Sequence, residues 1–154
     1  MAEIPFDDND KGMEKHYTYL VQGGFTFQAN DKLHNFNVTV DNAWCPNLIR
    51  TDIIAPKYTK YVRPITDPHL IAANGGALSF RSTIPIDVTL GDSTTRIWFG
   101  VVDDLRPGFI LGTTFIDRMV NAILPQKRRI HLLLSRPVPI IDSCLLYTSD
   151  AADD

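Results

Sequence analysis

The feature that most constrains the fold of this chain is a series of short segments in which apolar and polar residues alternate. Over residues 36–40 the alternation is strict, which is the period of a strand with one buried face. It recurs over residues 83–90, where a turn at 91–93 leads into a return strand over 96–102. Many short strands separated by turn residues predict an all-β fold, either a small barrel or a sandwich.

One segment departs from this pattern. Over residues 114–122, Phe115 and Met119, followed by Ile123, are spaced for one face of a helix, so a single short helix is predicted here. The chain has 154 residues and a hydrophobic content of 44%, which is enough for one domain with a core.

Charge and hydropathy exclude two classes of partner. A net charge of -3 gives no electrostatic basis for binding nucleic acid, and no apolar run approaches the length of a membrane span. Two cysteines form neither a disulfide framework nor a metal pattern, and the four histidines are scattered. We therefore expect no nucleic acid, no membrane, no metal and a reducing, intracellular location.

Two segments carry residues that suggest chemistry. In the first, the strand over residues 36–40 delivers a carboxylate, Asp41, into a turn, after which an apolar segment resumes at Leu48. The turn consists of Asn42, Ala43, Trp44, Cys45, Pro46 and Asn47. The second segment is the apolar run Phe109, Ile110 and Leu111, which ends in Gly112, where the backbone must pass close to a neighbour.

Together these segments resemble the retropepsins, the aspartic proteases of retroviruses and gypsy-class LTR retrotransposons. The first segment of that family reads apolar-apolar-Asp-Thr/Ser-Gly-Ala, often followed by x-Pro-Asn-apolar-apolar-Arg, which residues 45–50 match. The second segment of the family reads Ile-Leu-Gly-x-Asp-Phe-apolar. The resemblance covers residues 19–134. It implies a retropepsin-like domain over residues 17–136, folded as a closed acid-protease β-barrel with one short helix after Gly112.

The resemblance also implies a reaction, with Asp41 as the catalytic residue. In the family each protomer supplies one aspartate, and the two carboxylates share a proton, so that one acts as acid while the other activates water. The implied activity is that of an aspartic endopeptidase of a retrotransposon polyprotein, with no cofactor. Its implied partners are a second copy of the chain and polyprotein peptides, in the cytoplasm or a virus-like particle.

The loop after Asp41 departs from the family pattern. Asn42 stands where a Thr or Ser hydroxyl locks two loops together, Ala43 where a glycine lets amides approach, and Trp44 where a small alanine is usual. A misplacement of about 1 Å can lower a rate about a hundredfold. Two interpretations therefore stay open, a divergent loop that still positions Asp41 and a decayed loop on an inactive fold. Thr114 replaces an aspartate of the family and is predicted to be an acceptable N-cap.

Two further sets of residues complete the predicted site. The resemblance assigns a flap tip to Asn74, Gly75 and Gly76, for which an ordinary hairpin turn is the alternative. It assigns the strand beside the active site to Ile110, Leu111 and Gly112.

Other functions were weighed against this one. Cys45 lies in the same loop, but no histidine is placed to suggest a Cys-His pair, so a bystander thiol is favoured. The rival class is a non-catalytic module with the same fold, used for dimerisation or peptide binding, as in ubiquitin-pathway shuttle proteins that carry a retroviral-protease-like domain. Those proteins keep the Asp-Ser/Thr-Gly loop, which favours decay over this role here.

The two ends are predicted to lie outside the domain. Residues 1–16 are polar and are interpreted as a tail or linker, and residues 137–143 as a linker to missing downstream polyprotein. Residues 144–154 resemble the translation of a sequencing adapter and are interpreted as an artefact, outside functional reasoning.

Overall fold

The computed structural model describes residues 13–28, 31–42, 46–73 and 76–150. Within these ranges ten strands account for most of the chain, and α1 is the single α-helix. The elements in chain order are β1 (Met13–Thr26), β2 (His34–Asp41), β3 (Leu48–Arg50), β4 (Arg63–Ala73), β5 (Gly76–Leu90), β6 (Ser93–Val102), β7 (Phe109–Leu111), α1 (Thr113–Met119), β8 (Val120–Leu124), β9 (Arg129–Leu132) and β10 (Val138–Asp150), with short 3-10 turns at Thr51–Ile53, Pro56–Tyr61 and Pro125–Lys127. The prediction of a mainly β fold with one short helix is confirmed.

The strands form one sheet in the order β4-β5-β6-β3-β7-β2-β1-β10-β9-β8. An additional pairing joins β5 to β1, with Gly24 opposite Thr89 and Phe25 opposite Val88. The six strands from β5 to β1 therefore form a circuit in which each is hydrogen-bonded to the next.

The strand β7 lies between β2 and β3, which are neighbours in sequence. It runs parallel to β2, with Val40 opposite Leu111, and antiparallel to β3, with Leu48 opposite Ile110. The connection from β2 to β3, here called the crossing, therefore joins two strands on opposite sides of β7. The predicted catalytic residue, Asp41, lies at its start.

The main core contains alternating strand residues and one strand segment that is buried on both faces. Alternate residues of β5, and of β6 up to Phe99, are buried. In β2 the consecutive residues 38–41 are all buried, so the prediction of a single buried face is wrong for this part of β2. The largest fully buried side chains of the main core are Phe99, Phe109, Ile49, Ile84, Ile86, Leu111, Val21, Val38 and Val40. Each such aliphatic or aromatic side chain contributes roughly 1.5–3 kcal/mol when it is buried.

A second, smaller apolar cluster includes one residue of β7. Its buried members are Leu48, Phe80, Val102, Leu105 and Ile110. Phe80 lies directly over Gly100, where an added Cβ would stand 2.9 Å from the Phe80 ring. Glycine is thus required at position 100 by the close approach of the ring.

The β5–β6 turn is tied to the turn that precedes β10. Gly91 has a φ of 57°, which favours glycine. The neighbouring Asp92 accepts two hydrogen bonds from Arg136, Nε to Oδ2 at 2.6 Å and Nη2 to Oδ1 at 2.9 Å, and its own N–H donates to the Ser135 hydroxyl at 2.9 Å. The Arg136 hydrogen bonds lower the pKa of Asp92 below its usual value.

The predicted helix is too long. It was expected over residues 114–122, but α1 ends at Met119 and the chain continues as β8, with Val120 opposite Leu132 and Ile123 opposite Ile130. Ile123 therefore lies on a strand. Pairing with β9 outweighs the local helical spacing, and β-branched residues suit this paired strand.

The structure also extends the fold beyond the predicted boundaries. β1 begins at Met13, and it pairs with β10 from Met13 opposite Asp150 to Val21 opposite Ile140. Val138 and Ile140, placed in a linker by the sequence, are buried in the main core. Pro137 and Pro139 hid this alternation, because proline argues against a strand. The origin of residues 144–154 as adapter sequence stays a prediction.

Candidate functional site

Asp41 is the last residue of β2 and lies where β2, β7 and β1 meet. It is 8% exposed and stands opposite Thr18 of β1. On the other side, Val40 is opposite Leu111, so the parallel register brings Asp41 level with Gly112. The predicted neighbours Ile110 and Leu111 are buried strand residues. A carboxylate is thus held at the end of a rigid strand in a largely buried position.

The next residue, Asn42, bonds to β1 of its own chain through both its backbone and its side chain. Its N–H donates to the Tyr17 carbonyl at 3.2 Å, and its Oδ1 accepts from the Tyr17 N–H at 2.7 Å. Asn42, which stands where the resemblance expects Thr or Ser, therefore makes two hydrogen bonds within its own chain.

Several predicted site residues lie outside the described ranges. These are Ala43 and Trp44 of the loop, with their neighbour Cys45, and Asn74 and Gly75 of the flap. The flanking residues of the flap are described, because Ala73 at the end of β4 pairs with Gly76 at the start of β5. The β4–β5 pair is thus a hairpin, and in the strand order β6 and β3 separate it from β7.

Asn47 is a polar residue of the crossing whose role the sequence did not reveal. It is 6% exposed, and its Oδ1 accepts a hydrogen bond from the Gly112 N–H at 2.9 Å. Its backbone oxygen accepts from the Gly100 N–H at 2.9 Å. The sequence carried a signal at this position, because Asn47 matches the asparagine of the Pro-Asn-apolar-apolar-Arg run in the resemblance, although that run assigned it no role.

The junction between β7 and α1 differs from the prediction at Thr114. The N-cap of α1 is Gly112, in an extended conformation and without a side-chain capping bond, and its carbonyl accepts from the Ile116 N–H at 3.1 Å. Thr114 is exposed within the first turn of the helix. The expected N-cap role of Thr114 is therefore wrong.

Arg50 fixes the loop that leads into β7. Its N–H donates to the Gly108 carbonyl at 2.7 Å, and its Nη1 donates to the Leu105 carbonyl at 3.3 Å. The same guanidinium forms an ion pair with Asp52 at 2.6 Å. Because the loop is held at two carbonyls, the start of β7 is fixed relative to β3.

Cavities adjoin the described part of this region. One of about 150 Å³ adjoins the strands that lead to the site and is lined by Thr18, Leu20, Thr39, Pro107, Asp142, Ser143 and Cys144. Another, of about 520 Å³, lies between residues 51–62 and the β5–β6 pair, and shares Phe80 with the smaller apolar cluster. Within the described ranges no group of three or more His, Cys, Asp or Glu residues is placed to hold a metal ion.

Comparisons with known proteins bear on this geometry. No protein-family model and no curated protein matches the sequence. Among solved structures, the chain is similar to the crystal structure of the retroviral protease-like domain of Ddi1 from Leishmania major, with a TM-score of 0.57 and 16% sequence identity, over 80% of this chain and 95% of that chain. The chain has a retropepsin-like fold.

Asp41 is one carboxylate at the end of one strand, and an aspartate dyad needs two such groups in contact.

No helix in the described part of the chain has the length and apolar character needed to cross a membrane.

Proposed function

We propose that this chain is an aspartic endopeptidase domain of a retrotransposon polyprotein, built on a closed barrel and active as a homodimer. The observation that carries the proposal is the position of Asp41. It is largely buried and lies level with Gly112, where the paired strands β2 and β7 end. A second copy related by a twofold axis would bring the two Asp41 carboxylates together.

The chemistry follows from the like charges of such a pair. Two close carboxylates cannot both ionise, so they hold one proton between them. The ionised Asp41 removes a proton from water as the water oxygen attacks the peptide carbonyl carbon, and the protonated Asp41 donates its proton to the carbonyl oxygen. Proton transfer to the amide nitrogen then breaks the C–N bond and releases the amine.

The proposed substrate is an extended polyprotein peptide bound as a strand beneath a flap formed by Asn74, Gly75 and Gly76. The smaller apolar cluster includes Ile110 of β7, the strand that pairs with β2 beside Asp41. The proposed setting is the cytoplasm or a virus-like particle.

A second function is favoured by one observation. The side chain of Asn42 is bonded to Tyr17 of its own chain, in the place where a hydroxyl would lock two protomers together. A retropepsin-like fold without that lock suits a non-catalytic module that dimerises or binds peptides, and the structural similarity to a retroviral protease-like domain fits both functions.

Peptide cleavage decides between these functions. The purified chain is incubated with a peptide library at mildly acidic pH, beside Asp41→Asn and the matched control Asp117→Asn, which changes an exposed carboxylate on α1. The protease proposal expects cleavage that Asp41→Asn abolishes and Asp117→Asn leaves intact. Cleavage that survives Asp41→Asn excludes aspartate catalysis, and an inert chain that still binds peptides supports the module.

A further inference from the structure

The loop that follows Asp41 is held at both of its ends by asparagine side chains of the same chain. At the start, Asn42 Oδ1 accepts from the Tyr17 N–H at 2.7 Å. At the end, Asn47 Oδ1 accepts from the Gly112 N–H at 2.9 Å. Both bonds are made to backbone amides of strands that border the crossing, so each end of the loop is fixed to the framework.

At the first end, the side chain takes the place of a main-chain group. The register sets Thr18 opposite Asp41, so Asn42 stands opposite Tyr17. In an antiparallel ladder a hydrogen-bonded pair exchanges two backbone bonds. Here Asn42 N–H makes one of them, whereas its Oδ1 accepts the other in place of its carbonyl. The chain can therefore leave β2 at Asn42 without losing the partner of the Tyr17 amide.

At the second end, a buried residue links two strands and the start of α1. Asn47 accepts from Gly112 through its side chain and from Gly100 through its backbone oxygen. A buried amide without a partner is costly, so removing the Asn47 acceptor would penalise this arrangement. The loop end is thereby fixed beside the end of β7.

We propose that Asn42 and Asn47 are positioning residues that fix the two ends of the loop after Asp41 within a single chain, before any second copy binds. A second copy then meets loop ends that are already fixed, so association carries no cost for fixing them. The two hydrogen bonds, Tyr17 to Asn42 and Gly112 to Asn47, are here called the first and second clamps. Any effect of these clamps on peptide cleavage rests on the proposed protease function, whereas their existence within one chain does not.

Amide exchange measured by NMR on the full chain tests the clamp without reference to activity. In samples diluted until sedimentation shows monomer, the amides of Tyr17 and Gly112 are expected to be protected, at a level independent of protein concentration. Asn42→Leu, close in shape but without an acceptor, should speed exchange at Tyr17 about tenfold and leave Gly112 unchanged. The matched variant Asn42→Asp keeps an acceptor oxygen and should retain the protection.

The second clamp has its own pair of variants. Asn47→Leu is expected to speed exchange at Gly112, and Asn47→Asp to preserve its protection. If Asn47→Leu does not fold, the concentration series on the unmodified chain still decides. Protection of Tyr17 or Gly112 that rises with the fraction of dimer overturns the proposal, as does unchanged Tyr17 exchange in Asn42→Leu.

A cleavage assay on the same variants separates this inference from the proposed function. If the chain cleaves peptides, Asn42→Leu should lower kcat more than it raises KM, and Asn42→Asp should restore kcat. A chain that cleaves nothing counts against the protease, while the exchange rates still confirm or overturn the clamp.

Discussion

Val40 and Leu111 are parallel register partners at the centre of the sheet, and their pairing places the end of β2 beside the end of β7. Asp41 and Gly112 follow them in sequence, so the carboxylate and the glycine stand at the same level. Because β7 is also paired to β3, the two ends of the loop after Asp41 lie on opposite sides of β7.

The first prediction concerns substitutions in the loop after Asp41. If the loop has decayed, the chain should be inert, and the combined change Asn42→Thr, Ala43→Gly and Trp44→Ala should produce measurable turnover of a peptide substrate. The three changes return a hydroxyl, space for amide approach and cleft volume together, and such residues act as a unit. Adding Asp41→Asn must remove the gain, and a restored loop that stays inert in a proven dimer would argue against catalysis by Asp41.

The second prediction concerns association of two copies of the chain. One chain supplies one Asp41, so activity should rise with the fraction of dimer. β1 and β10 are paired to each other within the chain, which leaves less strand edge for a second copy. We expect sedimentation at sub-micromolar concentration to show mostly monomer. A tight dimer in that range contradicts this expectation.

The contact between Phe80 and Gly100 should be sensitive to volume. Gly100→Ala puts a methyl group 2.9 Å from the Phe80 ring and should destabilise the fold by about 1–3 kcal/mol in urea unfolding. Phe80→Leu removes the ring edge, so the double variant should lose less stability than the sum of the single changes. Strict additivity would show that the ring is not the obstacle.

The ion pair of Asp92 and Arg136 should make stability depend on pH. The folded-state pKa of Asp92 is lowered, first of all by its hydrogen bond to Arg136, so the pair stabilises the fold above the unfolded pKa of Asp92. This contribution is lost as pH falls through the folded pKa. Arg136→Gln should therefore lower the unfolding midpoint at neutral pH and lose its effect in acid, whereas Arg118→Gln on α1 should show no such pH-dependent loss.

The local pattern predicted part of this fold for a simple reason. Alternation over residues 83–90 reports which side chains are buried, because burial on one face is a property of the strand itself. The same alternation over residues 36–40 did not reveal that Thr39 is buried as well. The end of α1 at Met119 could not be found in this way, because Val120 and Ile123 suit both the helical spacing and the strand that pairs with β9. The pairing with β9, which follows β8 after a short turn, decided between these two local preferences.

The candidate site likewise combines features set by the sequence with features set by the tertiary structure. The sequence by itself determined that Asp41 ends a strand and that Gly112 follows an apolar one, since both depend on neighbours along the chain. Only the tertiary structure decided that β7 lies between β2 and β3, that Asn42 bonds to Tyr17 and that Asn47 bonds to Gly112. These contacts join residues far apart in sequence, and a hydrogen bond between them depends on distances that the folded sheet sets.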